Sequence, residues 1–145
     1  MIGFVCGGTG GHIYPAIAIA QELDHPCLFI SSSSSSVAQS IIKRHGFSFL
    51  SLSQISWNPI WLFVAFFKSL KLLKMHHVTC VVATGGAISI PVVLAAKIRR
   101  LPVVLLEQNT IPGKATLFLK RLSTRIFLSF EESRRFFQSG SHIVV

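Results

Sequence analysis

Short apolar runs alternate with helical patterns along the whole chain. The apolar runs, which predict buried strands, cover residues 2–6, 27–30, 47–52, 79–83, 103–106 and 125–129. Apolar positions at helical spacing cover residues 15–24, 36–45, 59–75, 90–99, 113–122 and 131–137. This alternation predicts an α/β fold, a Rossmann-like parallel sheet with helices on both faces. A run of serines at 31–36 predicts a polar connection whose last serine is a candidate helix cap.

The first strand runs directly into a glycine-rich turn. Residues 7–12 read Gly-Gly-Thr-Gly-Gly-His, and a helical pattern follows. Glycines permit close backbone approach, and a helix start presents unpaired N–H groups to an anion, so the turn predicts a phosphate-binding loop. Thr9, Gly10 and Gly11 are candidate substrate contacts, and His12 is a candidate catalytic base or hydrogen-bond donor.

Two common phosphate-binding patterns do not fit this turn. The glycine spacing differs from G-x-G-x-x-G, and no Gly-Lys-Ser/Thr follows as in a P-loop. The alternative interpretation is a tight strand–helix turn in which His12 is a polar cap. The density of glycines beside a threonine and a histidine favours phosphate binding over that alternative.

A second loop repeats the same strand–glycine–helix order. Because the carboxyl ends of parallel strands share one edge, the loops after residues 6, 83 and 106 should lie on one rim. In the loop after residue 83, Gly85, Gly86 and Ser89 are candidate ligand contacts. Two such loops on one rim could hold a diphosphate from two sides.

The loop after residue 106 carries an isolated carboxylate. Glu107 is the only acid between Asp24 and Glu131, and its place at a strand end makes it a candidate catalytic residue. The alternative is that Glu107 hydrogen-bonds backbone groups and shapes its own loop. Asn109 offers a donor and an acceptor, which suits sugar hydroxyls.

Residues 57–75 combine tryptophans and phenylalanines with lysines at a spacing of three. The uninterrupted apolar stretch, 60–67, is shorter than the roughly 20 residues that a bilayer-spanning helix needs. The pattern fits an interfacial helix on an anionic membrane; the alternative is a helix packed on the sheet with its lysines in water. The candidate membrane contacts are Trp57, Trp61, Phe63, Phe66, Phe67, Lys68, Lys71 and Lys74.

The overall composition is apolar and basic. The 145 residues fit a single domain, with 50% hydrophobic residues, a mean hydropathy of +0.60 and a formal net charge of +9. An anionic partner is therefore expected, either a phosphorylated ligand or a membrane surface. Nucleic acid is not expected, because the basic residues are scattered and form no recognised nucleic-acid motif.

The remaining reactive side chains predict no metal site. Cys6, Cys27 and Cys80 are widely spaced, which favours reduced, buried thiols in a cytosolic protein. His76 and His77 are adjacent on a predicted helix end, where neighbours do not face one ligand. No secretory signal is expected, since the chain reaches the glycine loop without a basic leader.

In order and spacing, these motifs resemble the bacterial undecaprenyl-diphosphomuramoyl-pentapeptide N-acetylglucosaminyltransferase (MurG) family. The resemblance covers nearly the whole chain. The matching residues are 7–12 with Pro15-Ala16, 84–89 with Pro91, and Glu107-Gln108-Asn109 with Pro112-Gly113.

The resemblance implies the N-terminal, acceptor-binding lobe of a two-domain GT-B glycosyltransferase. Such enzymes transfer N-acetylglucosamine from UDP-N-acetylglucosamine to lipid I, an undecaprenyl-diphosphate-linked acceptor, with inversion at the anomeric centre. The product, lipid II, serves peptidoglycan synthesis and hence cell shape and division. The resemblance implies no metal or cofactor, and a peripheral location on the cytoplasmic face of the bacterial inner membrane. It also implies donor contacts at Thr9, Gly10, Gly11 and Asn109.

The chain departs from the family pattern in sequence and in length. Leu106, Ala87 and Thr116 stand where the family usually has a histidine, an aromatic residue and an asparagine. Family members run to roughly twice this length, so we expect residues 1–145 to lack the donor-binding lobe and to be inactive alone. The alternatives are a non-catalytic, lipid-diphosphate-binding subunit that works with a separate donor-binding lobe, and a degenerate fragment.

Overall fold

The computed structural model describes residues 1–32, 36–52, 58–137 and 142–144, which form strands and helices in alternation. The strands are β1 (Ile2–Val5), β2 (Cys27–Ser32), β3 (Ser48–Leu52), β4 (Cys80–Ala83), β5 (Val103–Glu107), β6 (Arg125–Leu128) and β7 (His142–Val144). The α-helices are α1 (Gly10–Glu22), α2 (Ser36–Arg44), α3 (Pro59–Met75), α4 (Ser89–Ile98) and α5 (Lys114–Leu119). Two 3-10 helices cover Lys120–Leu122 and Glu131–Phe136.

All strand pairs in the sheet are parallel, in the order β3-β2-β1-β4-β5-β6-β7. The strand order reverses between β1 and β4, and the carboxyl ends of these two strands are neighbours. Ligands of open α/β sheets bind at such a reversal point. The predicted Rossmann-like fold is confirmed, and the loops after β1, β4 and β5 do share one rim.

Two apolar clusters lie on the two faces of the sheet, so the strands are buried as parallel strands require. One face packs against α1 and α2 through side chains such as Phe4, Phe29 and Ile13. The other face packs against α3, α4 and α5 through side chains such as Val5 and Leu105. On the α1 side, the side chains of β4, β5 and β6 border an apolar groove of about 470 Å³.

The first helix begins earlier than the sequence predicted. The apolar pattern predicted a helix over 15–24, but α1 covers Gly10–Glu22 and begins inside the glycine loop. The Thr9 carbonyl accepts hydrogen bonds from the backbone N–H groups of His12 and Ile13, at 3.0 and 3.2 Å, which starts the helix there. His12 therefore lies in the first helical turn.

The described serines at the two ends of the serine run belong to a strand and a helix rather than to a connection. Ser31 and Ser32 belong to β2 and are buried, and the Ser31 hydroxyl donates to the Cys6 carbonyl at 2.9 Å. Ser36 is the first residue of α2, and residues 33–35 lie outside the described residues. A short polar side chain can occupy a buried strand end because a neighbouring carbonyl satisfies its hydroxyl.

Two C-terminal elements also differ from the prediction. The helix predicted over 131–137 is a 3-10 helix, Glu131–Phe136. The strand β7, which pairs with β6, was not predicted. Both segments are short, so their periodicity is weak, and the strand β7 forms by pairing with the edge of β6.

Candidate functional site

The two glycine loops touch at the point where the strand order reverses. Gly85 and Gly86 have φ values of +99° and +83°, a backbone conformation that residues other than glycine rarely adopt. A Cβ atom on Gly86 would lie 3.0 Å from the Cα of Gly7. The loops can therefore pack this closely only because both positions lack a side chain.

His12 joins the two loops. Its Nδ1 lies 2.6 Å from the Thr84 carbonyl oxygen, 72 residues away in the sequence. Because a carbonyl oxygen only accepts, Nδ1 carries a proton, and the tautomer that this bond selects for the neutral ring has its lone pair on Nε2. A Cβ on Gly7 would come within 2.7 Å of the ring at Cδ2, so the loop glycine leaves room for the imidazole. The ring is half-buried and held in one orientation.

Thr116, on α5, also lies close to the second glycine loop. The position that a Gly85 Cβ would occupy lies 3.2 Å from His12 Cε1 and 3.4 Å from the Thr116 hydroxyl oxygen. Thr116 is 3% exposed. Thr116 is absent from the site residues predicted from the sequence. The sequence singles out Thr116 in another way, as a departure from the family pattern three residues after the Pro112-Gly113 turn.

The predicted substrate contacts divide into exposed and buried groups. Thr9 is exposed at the N-cap of α1, and its side chain makes no capping hydrogen bond. Gly11 is also exposed, and a Cβ there would meet nothing within 4 Å, whereas Gly10 lies under the Tyr14 ring. Ser89, by contrast, is fully buried and donates to the Gly85 carbonyl at 2.8 Å. Ser89 is thus placed to support the second glycine loop from behind.

Glu107 lies at the end of β5 and is 2% exposed. Its Oε1 accepts from the Asn109 backbone N–H at 3.0 Å and from the Asn109 side chain at 2.8 Å. Its Oε2 accepts from the backbone N–H of Gly113 at 3.1 Å. Both carboxylate oxygens are engaged, so the geometry favours the loop-shaping interpretation. Asn109 is exposed at the rim and is positioned by this carboxylate.

The exposed face of α3 is apolar in its first half and basic in its second. The exposed fractions are 71% for Ile60, 65% for Phe63 and 50% for Phe67. Lys68, Lys71 and Lys74 are exposed further along the helix.

Not every aromatic residue of the predicted membrane contacts lies on that face. Trp61 and Phe66 are half-buried and pack against the core. Trp57 lies outside the described residues. Among the described residues, the exposed membrane-contact candidates are therefore fewer than the sequence pattern predicted.

The thiols behave as buried apolar groups. Burial raises the pKa of the Cys6 thiol to about 12, against a smaller opposing effect from the Thr84 side chain. Burial also raises the pKa of Cys27 and of Cys80, and none of the three forms a disulfide.

Within the described ranges, no group of three His, Cys, Asp or Glu side chains could hold a metal ion. In the same part of the chain, no helix is both long enough and apolar enough to cross a membrane.

Comparison with known structures supports the fold assignment. MurG of Acinetobacter baumannii superimposes with a TM-score of 0.87 at 22% identity, over 99% of this chain and 44% of that chain. The S. aureus protein MnaA, in a complex with UDP, superimposes with a TM-score of 0.77 at 10% identity, over 99% of this chain and 44% of that one. At these identities the likeness shows the fold alone.

Two curated relatives carry the name UDP-N-acetylglucosamine--N-acetylmuramyl-(pentapeptide) pyrophosphoryl-undecaprenol N-acetylglucosamine transferase. The relative from Halothermothrix orenii is 38% identical, over 93% of this chain and 40% of its own length. The relative from Caldicellulosiruptor saccharolyticus is 32% identical, over 98% of this chain and 42% of its own length. The chain thus spans less than half of the relatives that it matches.

A family model gives the assignment directly. The model described as the glycosyltransferase family 28 N-terminal domain matches residues 2–128. This match covers both glycine loops, His12 and the Glu107 loop, and it confirms the family expected from the motifs. The chain belongs to the glycosyltransferase family 28 N-terminal domain family.

Proposed function

We propose that this chain is the acceptor-binding lobe of an inverting N-acetylglucosaminyltransferase of peptidoglycan synthesis. In this proposal, N-acetylglucosamine passes from UDP-N-acetylglucosamine to lipid I and gives lipid II. The observation that carries the proposal is the pair of glycine loops held around His12 at the strand reversal. The reaction is inferred from the names of the relatives. The acceptor diphosphate is proposed to bind at the rim, because helix starts after glycine loops favour anions.

His12 is the proposed general base. Its Nδ1–H donates to the Thr84 carbonyl, so in the neutral ring Nε2 is the nitrogen that can accept a proton. The acceptor hydroxyl loses its proton to Nε2 while its oxygen attacks the anomeric carbon of N-acetylglucosamine. The bond from that carbon to the diphosphate oxygen breaks, and UDP leaves with the electron pair. Glu107 acts in this scheme by positioning Asn109, which contacts the sugar.

The diphosphate is proposed to bind between the two glycine loops. Thr9, Gly10 and Gly11 contribute the start of α1, and Gly85 and Gly86 contribute the second loop, with Ser89 behind it. Backbone N–H groups at a helix start favour an anion through hydrogen bonding and the helix dipole. The net charge of +9 attracts such a ligand.

The exposed face of α3 is the proposed membrane contact. Phe63 and Phe67 would enter the interface, and Lys68, Lys71 and Lys74 would face anionic headgroups. This surface would hold the protein peripherally at the cytoplasmic face of the inner membrane, where the lipid-linked acceptor is found. Nucleic acid has no part in the proposal.

The acceptor site can be tested by titrating the purified chain with farnesyl diphosphate, a short prenyl diphosphate. We expect saturable binding that His12→Ala weakens about tenfold, because the His12 ring no longer holds the two glycine loops together around the diphosphate. The matched control is His45→Ala, which removes an exposed histidine on the turn after α2. Absence of binding by the wild-type chain, or equal affinities for both variants, would contradict the assignment.

A further inference from the structure

Ser133 connects the 3-10 helix Glu131–Phe136 to the loop that carries Glu107 and Asn109. Ser133 is fully buried, and its hydroxyl donates to the Asn109 carbonyl at 2.8 Å, across 24 residues of sequence. A buried hydroxyl needs a hydrogen-bond partner. Here the partner is the backbone of the residue that the proposed function assigns to the sugar.

Asn109 is exposed at the rim, yet hydrogen bonds hold it from two sides. Its backbone N–H and its Nδ2 both donate to Glu107 Oε1, at 3.0 and 2.8 Å, and its carbonyl accepts from Ser133. Because a carboxylate only accepts, Nδ2 is the amide atom that faces Glu107. Oδ1 and the second Nδ2 hydrogen, which bind no other described residue, are left for a ligand. An acceptor beside a donor suits a sugar hydroxyl, which can both donate and accept.

The segment that carries Ser133 is itself fixed on the sheet. It directly follows β6, which pairs with β5, the strand that ends at Glu107. The Ser133 N–H donates to the Phe130 carbonyl at 3.1 Å. At the other end of the 3-10 helix, Lys120 Nζ donates to the Phe136 carbonyl at 2.7 Å. Ser133 therefore reaches the loop after β5 from a position that is anchored at both ends.

We propose that Ser133 is a positioning residue for the substrate: its hydroxyl holds the Asn109 carbonyl and thereby keeps the Asn109 amide directed at a sugar hydroxyl. The inference rests on the proposed function, which assigns Asn109 to the sugar. Ser133 is fully buried and acts only through Asn109. Without the Ser133 hydroxyl, both remaining hydrogen bonds of Asn109 end on the single oxygen Oε1 of Glu107, about which the amide can turn away from the sugar.

Both substrates of the proposed reaction carry an N-acetylated sugar, so the test uses two pairs of ligands. One pair is a farnesyl-linked lipid I analogue and farnesyl diphosphate, and the other is UDP-N-acetylglucosamine and UDP. In each pair only the first ligand bears the N-acetylated sugar, and the ratio of the two affinities is the sugar gain. Calorimetry measures the affinities, and thermal melting measures folding.

We expect a sugar gain in the wild-type chain in at least one pair, which identifies the substrate that Asn109 contacts. Ser133→Ala should lower this gain about fivefold and leave the affinity for the ligand without the sugar within twofold of the wild type. Asn109→Ala should lower the sugar gain by a similar factor. Adding Ser133→Ala to Asn109→Ala should lower it no further, because Ser133 acts through Asn109.

The matched control is Ser69→Ala. Ser69 is also a buried serine, 1% exposed, and its hydroxyl donates to the Ala65 carbonyl within α3 at 2.7 Å. This variant should lose a similar free energy of unfolding and keep the sugar gain of the wild type. If Ser133→Ala does not fold, Ser133→Cys replaces it, because a thiol is similar in size to the hydroxyl and donates only weakly.

Three results would overturn the inference: an unchanged sugar gain in Ser133→Ala, an equal loss of the gain in Ser69→Ala, and additive losses in the double variant. Binding of farnesyl diphosphate with no sugar gain in either pair would also overturn it, while the diphosphate site would stand. If the wild-type chain binds neither farnesyl diphosphate nor the lipid I analogue, the proposed function itself fails, which is a distinguishable result.

Discussion

At the residue scale, glycine is required at the rim for two different reasons. Gly86 combines a left-handed backbone, φ +83°, with a contact of 3.0 Å between its missing Cβ and the Gly7 Cα. Gly46 has a similar φ of +80° but open space around its Cβ position. Gly11 has open space and lies in α1. Gly86 thus has both a strained backbone and a close contact, Gly46 has only the strained backbone, and Gly11 has neither.

Alanine substitutions should therefore rank in a definite order. Gly46→Ala should cost about 1–2 kcal/mol from the left-handed backbone alone. Gly86→Ala should cost about 2–4 kcal/mol, because overpacking against Gly7 adds to that strain. Gly11→Ala should raise stability by about 0.5–1 kcal/mol, as alanine favours a helix over glycine. Urea unfolding measures all three, and equal costs for Gly86→Ala and Gly46→Ala would contradict the close packing of the loops.

The Cys6 thiol makes the stability depend on pH in the alkaline range. Burial raises its pKa from 9.0 to about 12. The thiol is protonated in both states below pH 9, so its contribution is complete there. Between pH 9 and 12 the unfolded chain releases the proton first, and the contribution is lost as the pH rises.

This effect can be isolated by substitution. Between pH 8 and pH 10.5 the wild-type chain should lose about 2 kcal/mol more unfolding free energy than Cys6→Ala, at 1.36 kcal/mol per pH unit. Urea unfolding of both proteins at the two pH values gives the difference. The same pH dependence in both proteins would show that Cys6 is accessible to solvent in the folded chain.

At the element scale, the packing of α3 decides which of its aromatic residues are exposed on the surface. Asn58 caps the helix by accepting from the Ile60 N–H at 2.9 Å, and Pro59 occupies the first turn. Ala65, Ser69 and Leu73 form its buried stripe. Packing along that stripe turns Phe63 and Phe67 outward and leaves Trp61 half-buried. Only the outward side chains can contact a membrane.

Vesicle binding tests this face. The double variant Phe63→Ser/Phe67→Ser should bind phosphatidylglycerol-containing vesicles at least tenfold more weakly, because two aromatic side chains no longer leave water. Lys71→Gln should cost about 1 kcal/mol on anionic vesicles and nothing on neutral ones. The control, Ile98→Ser, removes an apolar side chain that is 69% exposed on α4. Co-sedimentation measures binding, and equal loss in the control would contradict a specific patch.

At the scale of the whole molecule, the proposed reaction needs two substrates, and the chain matches less than half of the length of its relatives. The relatives are more than twice as long as the matched region, since that region covers 40% and 42% of the two compared here. Transfer requires the donor and the acceptor to be held together in reacting geometry. In the proposed function, the rim around His12 would bind the acceptor and leave most of the donor contacts to a second lobe.

In the proposed function, transfer by residues 1–145 should therefore require an added donor-binding lobe. The purified protein alone should transfer no measurable N-acetylglucosamine from UDP-N-acetylglucosamine to a lipid I analogue. Adding the unmatched C-terminal portion of the Halothermothrix orenii relative should give turnover that His12→Ala abolishes. Turnover by the chain alone would contradict the need for a second lobe. Acceptor binding without turnover, with both proteins folded, would favour the non-catalytic binding subunit, and loss of both would favour a degenerate fragment.

The sequence by itself determined the order of strands and helices, the parallel sheet and the family. These follow from local information: apolar runs bury strands on both faces, and a strand–glycine–helix order recurs twice. The rim was also predictable, because parallel strands bring their following loops to one edge. The start of α1 was not predictable, since the glycines that favour a turn also fit the first turn of a helix once Thr9 accepts its hydrogen bonds.

Only the tertiary structure decided which side chains share the site and what each one does. It paired His12 with Thr84 across 72 residues, which fixes the tautomer, and it brought Thr116 close to the second glycine loop. In the folded chain, the Glu107 carboxylate accepts hydrogen bonds from its own loop. Some aromatic residues of α3 pack against the core, and others are exposed on the surface. The physical reason is that hydrogen bonds and close packing join residues that are distant along the chain. The spacing of two residues in the sequence does not tell how far apart they lie in the folded protein.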